Sequence, residues 1–166
     1  MKLNLGSGNV EIGSAPSLEG FLRVDINPEV APDILANVED LETVASDSVE
    51  EIFASHIFEH LSHKSLALWE WKRVLMPGGL ITVAIPDFIA GYALHRGGFW
   101  TTEWFNATIY GATIIGYPAP YEHKQVLSAD MLLERMREVF PDSRIVTQIS
   151  HRPIYIGEAV VQGHKS

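Results

Sequence analysis

The hydrophobic positions of the chain alternate between short apolar runs and segments with helical spacing. Apolar runs bounded by turn residues are typical of strands. Five such runs predict strands, at residues 2–5 (KLNL), 21–26 (FLRVDI), 33–37 (DILAN), 49–54 (VEEIFA) and 80–85 (LITVAI). The last run is almost continuously apolar, as in a strand that is covered on both faces.

Two segments place their apolar residues on one face of a helix. The first spans residues 63–75, with Ser62 as its expected capping residue. The second spans residues 129–140, begins after Ser128 and ends before Pro141. Strands and helices therefore alternate along the chain, which favours a parallel sheet.

The carboxyl-terminal segments RIVTQIS (144–150) and IYIGEAVVQ (154–162) predict two further strands. Because only three residues separate them, they are expected to pair as an antiparallel hairpin. The predicted fold is α/β: a three-layer, doubly wound, mostly parallel sheet with a carboxyl-terminal antiparallel hairpin. A chain of 166 residues is long enough to bury one hydrophobic core, so residues 1–166 are expected to form a single domain.

Composition and charge limit the classes of binding partner and the cellular location that the sequence predicts. The formal net charge is -9, which disfavours a broad surface for nucleic acid. The absence of cysteine removes disulfides and thiolate chemistry. No apolar run has the length of a signal peptide or a membrane span. A cytoplasmic protein with no nucleic-acid or membrane partner is expected.

A glycine loop follows the first predicted strand. Gly6, Ser7 and Gly8 lie where the carboxyl end of a strand meets a ligand in doubly wound sheets. Asp25 lies 19 positions after Gly6, at the end of the second strand, where an acid accepts hydrogen bonds from ribose. Glu11 stands where a dinucleotide loop needs a third glycine near the pyrophosphate, and its charge would repel phosphate. The pattern favours an adenosine ligand without phosphate.

Five ordered motifs resemble one known family. They are LNLGSG (3–8), VDI (24–26), ILANVEDL (34–41), ASHIFEHL (54–61) and WEWKRVLMPGGLITVAIPD (69–87). Together they are similar to the class I S-adenosylmethionine-dependent methyltransferases, and most to a small subgroup related to the type 11 methyltransferases. The resemblance implies a Rossmann-like fold, methyl transfer, and S-adenosylmethionine as cofactor with S-adenosylhomocysteine as product.

The resemblance also implies cofactor contacts. Leu5 to Gly8 would pass under the methionine part, Asp25 would hold the ribose, and Ile26 would flank the adenine. The implied cofactor-binding residues are Asn4, Leu5, Gly6, Ser7, Gly8, Asp25, Ile26, Asn37, Val38, Ser55 and His56. The family usually has an acid where Asn4 and Asn37 stand. A non-catalytic protein that binds S-adenosylmethionine or a nucleoside on the same fold is therefore the alternative.

HIFEH (56–60) fits the H-x-x-E-H pattern of certain zinc peptidases. That chemistry needs both histidines on one helical face, whereas the strand upstream places His56 at a strand end and His60 in a turn. No motif supplies a third ligand, so no metal is predicted and a zinc hydrolase is a remote alternative. His60 is a candidate general base or a residue that ties the turn to the helix, and Glu59 is expected to bond backbone groups. Asp87 is a candidate on the substrate side or a helix cap.

The segment 97–125 holds seven of the 16 aromatic residues, too many for a disordered linker. It is expected to form a lid over the site or a homodimer contact, and a lid is favoured. His123 in this segment is the third catalytic candidate, with Tyr110 and Lys124 as further polar contacts. The chain lacks the Asn/Asp-Pro-Pro-aromatic motif of amino-directed enzymes after the fourth strand. The favoured reaction is methylation of an oxygen on a small molecule or glycan.

Overall fold

One seven-stranded sheet organises the computed structural model, which describes residues 1–8, 18–111, 122–148 and 156–166. The strands are β1 Lys2–Leu5, β2 Phe21–Asp25, β3 Ile34–Leu35, β4 Val49–Ser55, β5 Leu75–Pro86, β6 Arg144–Ile145 and β7 Glu158–His164. Their order is β3-β2-β1-β4-β5-β7-β6. Among these described strands, β7 runs in the opposite direction to the other six. The predicted fold class, a mostly parallel doubly wound sheet with antiparallel strands at the carboxyl terminus, is confirmed.

The order of the strands reverses between β1 and β4. The chain passes from β1 to β2 on one side, and β4 pairs with the other side of β1, so the carboxyl ends of these three parallel strands meet at one edge. A ligand site is expected where such a reversal leaves a crevice. The glycine loop after β1 lies at this point.

Four α-helices accompany the sheet in the described residues: α1 Lys64–Val74, α2 Phe88–Arg96, α3 Thr102–Tyr110 and α4 Ala129–Val139. The predicted cap of α4 is confirmed, because the Ser128 hydroxyl accepts a hydrogen bond from the Met131 N–H at 3.4 Å. The prediction of Ser62 as the cap of α1 was wrong. His63 occupies that position without a side-chain capping bond. Its own N–H donates to Glu39 Oε1 at 2.6 Å, which fixes where the helix begins.

Several strands differ in length from their predictions. β5 begins at Leu75, directly after α1, and the MPGG that ends the helix belongs to the strand. A shift in register against β4 accommodates these residues, since Val49 pairs with Leu75 and Glu51 already pairs with Leu80. The predicted strand at 33–37 contains only two strand residues. The antiparallel pairing of the two carboxyl-terminal strands is confirmed, whereas residues 149–155 between them and residues 9–17 of the first crossover lie outside the described part of the chain.

The core forms between the sheet and the apolar faces of α1 and α4. Trp71 of α1 is fully buried, as predicted, and its indole N–H donates to the Val38 carbonyl at 2.8 Å. This bond connects α1 to the loop that follows β3. Leu132, Met136 and Val139 of α4 are buried in the same core.

Two short helices precede and enter the aromatic insertion. Phe105 of α3 packs against α2, with ring centroids 5.0 Å from His95 and 6.2 Å from Phe88. Gly91 of α2 permits this close approach, because a Cβ atom there would lie 3.2 Å from Thr108 of α3. The insertion therefore has regular structure at its start, and residues 112–121 lie outside the described part. Within the described ranges, every helix is too short or too polar to cross a bilayer.

Candidate functional site

The loop after β1 is fastened to the end of β2. The N–H groups of Gly6 and Ser7 donate to the Val24 carbonyl at 2.9 and 3.2 Å. The Gly8 N–H donates to Asp25 Oδ2 at 2.8 Å. Both glycines have the left-handed backbone that a residue without Cβ adopts most readily, with φ of +64° and +57°.

The two glycines differ in their surroundings. A Cβ atom on Gly6 would lie 2.5–2.8 Å from the side chain of Ile57, whereas at Gly8 no described atom would come within 4 Å. Between them, the Ser7 hydroxyl is buried and has no hydrogen-bond partner in the described residues. Open space beside an unsatisfied buried hydroxyl is the arrangement expected where a polar ligand binds.

This difference predicts unequal effects of two matched substitutions on stability. Gly8→Ala is expected to cost ~1 kcal/mol, the penalty of a left-handed backbone with a Cβ atom. Gly6→Ala adds the collision with Ile57, so we expect a loss of ~2–4 kcal/mol. Chemical denaturation of both variants measures the difference. Equal losses would mean that Ile57 does not pack against Gly6.

Asp25 has a double role at the end of β2. Its Oδ2 accepts from Gly8 and its Oδ1 accepts from the Asn27 N–H at 2.9 Å. Each oxygen of an ionised carboxylate keeps further acceptor capacity for ribose hydroxyls. The next side chain, Ile26, is 66% exposed, which leaves an apolar surface at the edge where the adenine is expected.

Arg23 is a positioning residue that the sequence did not reveal. Its guanidinium donates to the carbonyls of Gly8 at 3.0 Å, Val30 at 2.7 Å and Ala31 at 3.2 Å. These bonds connect the glycine loop to the segment between β2 and β3. An arginine inside a strand pattern gives no signal for such contacts, because its carbonyl partners carry no side-chain signature.

The implied adenine contacts after β3 differ in exposure. The Asn37 side chain lies at the surface and its Oδ1 accepts from the Glu39 N–H at 3.0 Å. The Val38 side chain is buried in the core, so only its backbone could meet a ligand. In β1, Asn4 and Leu5 are both buried, so the partly exposed Gly6 and Gly8 are the parts of this motif that a ligand can reach.

The chain turns sharply where β4 ends. Ser55 is buried at the end of the strand, and His56 has a left-handed backbone with φ of +54°. The His56 ring contacts Glu158 at the start of β7, with 3.0 Å between Nε2 and Oε1. The turn brings Ile57 against Gly6 and is followed by a 3₁₀ turn at Phe58–His60. The predicted positions of His56 at a strand end and His60 in a turn are confirmed.

Glu59, His60 and His123 come together beside this turn, and we call them the acceptor-side cluster. One ligand-type atom from each lies within 4.8 Å of the others. The rings of His60 and His123 meet edge to face with centroids 4.9 Å apart. His123 Nε2 lies 3.8 Å from Glu59 Oε1. The cluster unites two residues of HIFEH with a histidine of the insertion.

The Glu59 carboxylate is unusual within the cluster. Its side chain is 2% exposed, and neither oxygen has a hydrogen-bond partner in the described residues. The expectation that Glu59 bonds backbone groups through its side chain was wrong, because only its carbonyl does so, accepting from the Lys124 N–H at 3.0 Å. The nearest cationic candidates are His56 Nδ1 at 3.6 Å and His123 Nε2 at 3.8 Å.

Backbone carbonyls orient both histidines of the cluster. His60 Nδ1 lies 2.8 Å from the Glu122 carbonyl, and His123 Nδ1 lies 3.1 Å from the Thr108 carbonyl. A carbonyl can only accept, so each Nδ1 carries a proton and Nε2 presents its lone pair when the ring is neutral. Burial lowers the pKa of His123, opposed by Glu59 and reinforced by His60, which favours the neutral ring.

Asp87 acts as a helix cap. Its Oδ1 accepts from the N–H groups of Ile89 at 2.8 Å and Ala90 at 3.3 Å, in the first turn of α2. Its Oδ2 lies 3.4 Å from the Ala129 nitrogen at the start of α4. Of the three catalytic candidates, His60 and His123 are in contact, and Asp87 instead connects two helices.

Comparison with known proteins agrees with this arrangement. Residues 3–83 match the type 11 family model described as a methyltransferase domain. No protein of curated function matches the chain in sequence.

Solved structures share the fold. An Archaeoglobus fulgidus S-adenosylmethionine-dependent methyltransferase matches with 14% identity, covering 99% of this chain and 85% of that one, at a TM-score of 0.65. A Thermotoga maritima enzyme, described as a possible histamine N-methyltransferase, matches with 16% identity, 99% and 82% coverage and a TM-score of 0.64. A chain from the Haloferax volcanii complex of the Trm112 methyltransferase activator with a methyltransferase matches with 13% identity, 99% and 81% coverage and a TM-score of 0.61.

Residues 3–83 thus match a methyltransferase domain of type 11, and the fold of the whole chain is shared with solved S-adenosylmethionine-dependent methyltransferases. The cofactor that this domain match and these structures imply is S-adenosylmethionine. The glycine loop is compatible with that cofactor, since among the described residues no atom would lie within 4 Å of a Cβ atom on Gly8 and the Ser7 hydroxyl has no hydrogen-bond partner.

Proposed function

We propose that this protein methylates an oxygen of a small molecule or glycan, and that the acceptor-side cluster receives the acceptor. The observation that carries the proposal is the buried Glu59 carboxylate beside two histidines with oriented Nε2 lone pairs. Such a group can take a proton from a hydroxyl and stabilise the charge that results.

The proposed cofactor site follows the carboxyl ends of the strands. Leu5 to Gly8 would lie under the methionine part, Asp25 would hold the ribose hydroxyls, and Ile26 would cover the adenine. Asn37 would contact the adenine edge through its amide, and Val38 through its backbone. Asn4 supports the loop from within β1. Ser55 and His56 would border the methyl group, because Ile57 packs directly against the glycine loop.

S-adenosylmethionine supplies a methyl group on a positively charged sulphur, so the reaction needs little further activation. The protein has to hold the acceptor oxygen in line and remove its proton. His60 is the proposed base, because the His123 side chain is only 7% exposed and its bond to Thr108 is part-buried, whereas the bond of His60 to Glu122 is exposed. The Glu59 carboxylate would stabilise the positive charge that His60 acquires, and the edge-to-face contact with His123 would hold the His60 ring in place. Asp87 is proposed to contribute through the position of α2.

The insertion is proposed to act as a lid over the acceptor. Backbone hydrogen bonds connect residues 122–124 both to α3 and to the 3₁₀ turn. The backbone N–H of His123 donates to the Tyr110 carbonyl at 3.2 Å, and the backbone N–H of Lys124 donates to the Glu59 backbone carbonyl at 3.0 Å. A cleft next to this junction is lined by polar and basic side chains, among them Lys64, Lys124 and Arg135. Such a lining suits an acceptor with many hydroxyl groups or an acidic group.

Transfer of a labelled methyl group tests the proposal. The protein is incubated with S-adenosylmethionine carrying a ¹³C methyl group and with a panel of sugars, acidic sugars, hydroxylated aromatic molecules and amines. We expect a product whose methyl ¹³C chemical shift identifies an O–CH₃ group, and S-adenosylhomocysteine should inhibit its formation. Products with N–CH₃ groups alone would contradict the assignment of oxygen as the acceptor atom.

A further inference from the structure

We propose that Glu59, His60 and His123 bind a divalent transition-metal ion. Nothing in the methyltransferase motifs calls for one. The inference starts from the two histidines and the carboxylate of the acceptor-side cluster, whose ligand-type atoms all lie within 4.8 Å of one another. Two imidazoles and one carboxylate are a ligand set that zinc and iron(II) accept in proteins, with further positions left for oxygen ligands.

The outer contacts of the histidines support the proposal. Metal-bound histidines almost always donate the second ring N–H to a carbonyl, a carboxylate or water. His60 and His123 both do so, through Nδ1 to the carbonyls of Glu122 and Thr108. These bonds engage Nδ1 and leave Nε2 of each ring to bind an ion, and His123 Nε2 already lies 3.8 Å from Glu59 Oε1.

The third proposed ligand, Glu59, has a buried carboxylate whose charge is poorly compensated. A buried carboxylate without hydrogen bonds is costly, and a bound cation removes that cost. Glu59 is 2% exposed, and both of its oxygens lack a hydrogen-bond partner in the described residues. The nearest described groups of opposite charge are the imidazoles of His56 and His123, at 3.6 and 3.8 Å, and a bound cation would balance the carboxylate at closer range.

The geometry needs a small contraction. Around a tetrahedral ion with bonds of about 2.0–2.1 Å, ligand atoms stand about 3.3 Å apart. His123 Nε2 and Glu59 Oε1 are already 3.8 Å apart, and no pair in the cluster exceeds 4.8 Å. Side-chain rotations that move the ligand atoms by about 1 Å would complete such a site. Magnesium and calcium fit poorly, because they prefer sites made of oxygen ligands.

HIFEH thus supplies metal ligands in a different way from a zinc peptidase. His56 is engaged with Glu158, and the second histidine comes from residue 123. The catalytic role of the ion rests on the proposed function: the ion would hold the acceptor oxygen and favour loss of its proton to solvent water, in place of direct proton transfer to His60. Binding of the ion does not depend on that role.

Direct metal binding tests the proposal. Untagged protein is stripped with a chelator and titrated with Zn²⁺ by calorimetry and with Co²⁺ by visible absorption. We expect one ion per chain and Co²⁺ bands typical of a four- or five-coordinate site. Glu59→Gln, which keeps the shape of the side chain, and His60→Ala should each weaken binding by at least ~100-fold, beyond the upper end of the loss for an outer contact.

A matched control distinguishes this site from other histidines. His164 pairs with Asp142 at the opposite edge of the sheet, with 2.8 Å between Nδ1 and Oδ2, and His164→Ala should bind zinc as the wild type does. Wild-type protein that binds neither ion, or Glu59→Gln and His60→Ala variants that bind as tightly as wild type, would overturn the proposal. A thermal shift with S-adenosylhomocysteine in every variant confirms folding and tests the cofactor site separately from the metal.

Discussion

Replacing His60 with alanine is expected to lower kcat for methyl transfer by about 10²–10⁴-fold, the usual contribution of a positioned general base. The same loss is expected whether His60 takes the proton itself or holds an ion that favours its release. Affinity for S-adenosylhomocysteine should stay within about twofold of the wild type, because the proposed cofactor contacts lie on the glycine loop, on Asp25 and at the end of β4. Steady-state kinetics with an identified acceptor, together with calorimetry, measures both quantities.

The control for this prediction is again His164→Ala, which removes a histidine and its ion pair far from the cluster. It should leave kcat and cofactor affinity unchanged. If His60→Ala retained full kcat while His123→Ala lost it, the proton acceptor would be His123. If both retained full kcat, the acceptor-side cluster would have no part in the chemistry.

Replacing Asp25 with alanine is expected to weaken S-adenosylhomocysteine binding by about 10- to 150-fold, the equivalent of the ~1.5–3 kcal/mol that a hydrogen bond to a charged group contributes. The loss has two sources. The ribose hydroxyls lose their acceptor, and the Gly8 N–H loses the bond that holds the loop against β2. Calorimetric titration of the folded variant gives the affinity directly.

Asp33 offers a matched control for Asp25. Its carboxylate also accepts a backbone N–H, that of Arg23, at 2.7 Å, but it precedes β3 and does not meet the glycine loop. Asp33→Ala should therefore disturb local structure without the loss in affinity. Equal losses in the two variants would show that the loss reflects a general disturbance of β2 and β3 rather than a missing contact of Asp25 with ribose.

The fold could be predicted from the sequence because its signals are local. The apolar run at 80–85 and the helical spacing around Trp71 each indicate an element without knowledge of its neighbours. The boundaries were less certain. Serine is a better capping residue than histidine, so Ser62 was expected to begin α1. The hydrogen bond from the His63 N–H to the side chain of the distant Glu39 instead places the start of the helix at His63. Tertiary contacts of this kind leave no trace in a local pattern.

The candidate site could be predicted only in part for the same reason. The glycine loop and Asp25 follow strands directly, so their positions follow from the fold. The cluster required His123 to meet His60 across 63 positions of sequence, and the carbonyls that orient both rings have no side-chain signature. The burial of Glu59 was also unforeseen, since a glutamate in a turn is usually exposed.

The residues of HIFEH have different roles in the structure from those of a zinc-peptidase motif. The pattern suggested a pair of metal ligands on one helix, and the strand before it excluded that pair. In the structure, His56 lies between Glu158 and Glu59, with Nε2 3.0 Å from Glu158 Oε1 and Nδ1 3.6 Å from Glu59 Oε1, whereas Glu59 and His60 come together with His123. The argument from helical spacing considered only ligands within HIFEH and did not address a histidine brought in by the insertion.

A crystal structure with S-adenosylhomocysteine bound would test the central claim most directly. We predict that the ribose hydroxyls contact Asp25 and that the sulphur faces Glu59, His60 and His123, with room for an acceptor oxygen between them. A sulphur that faces away from these three residues, or a ribose that does not contact Asp25, would contradict the account.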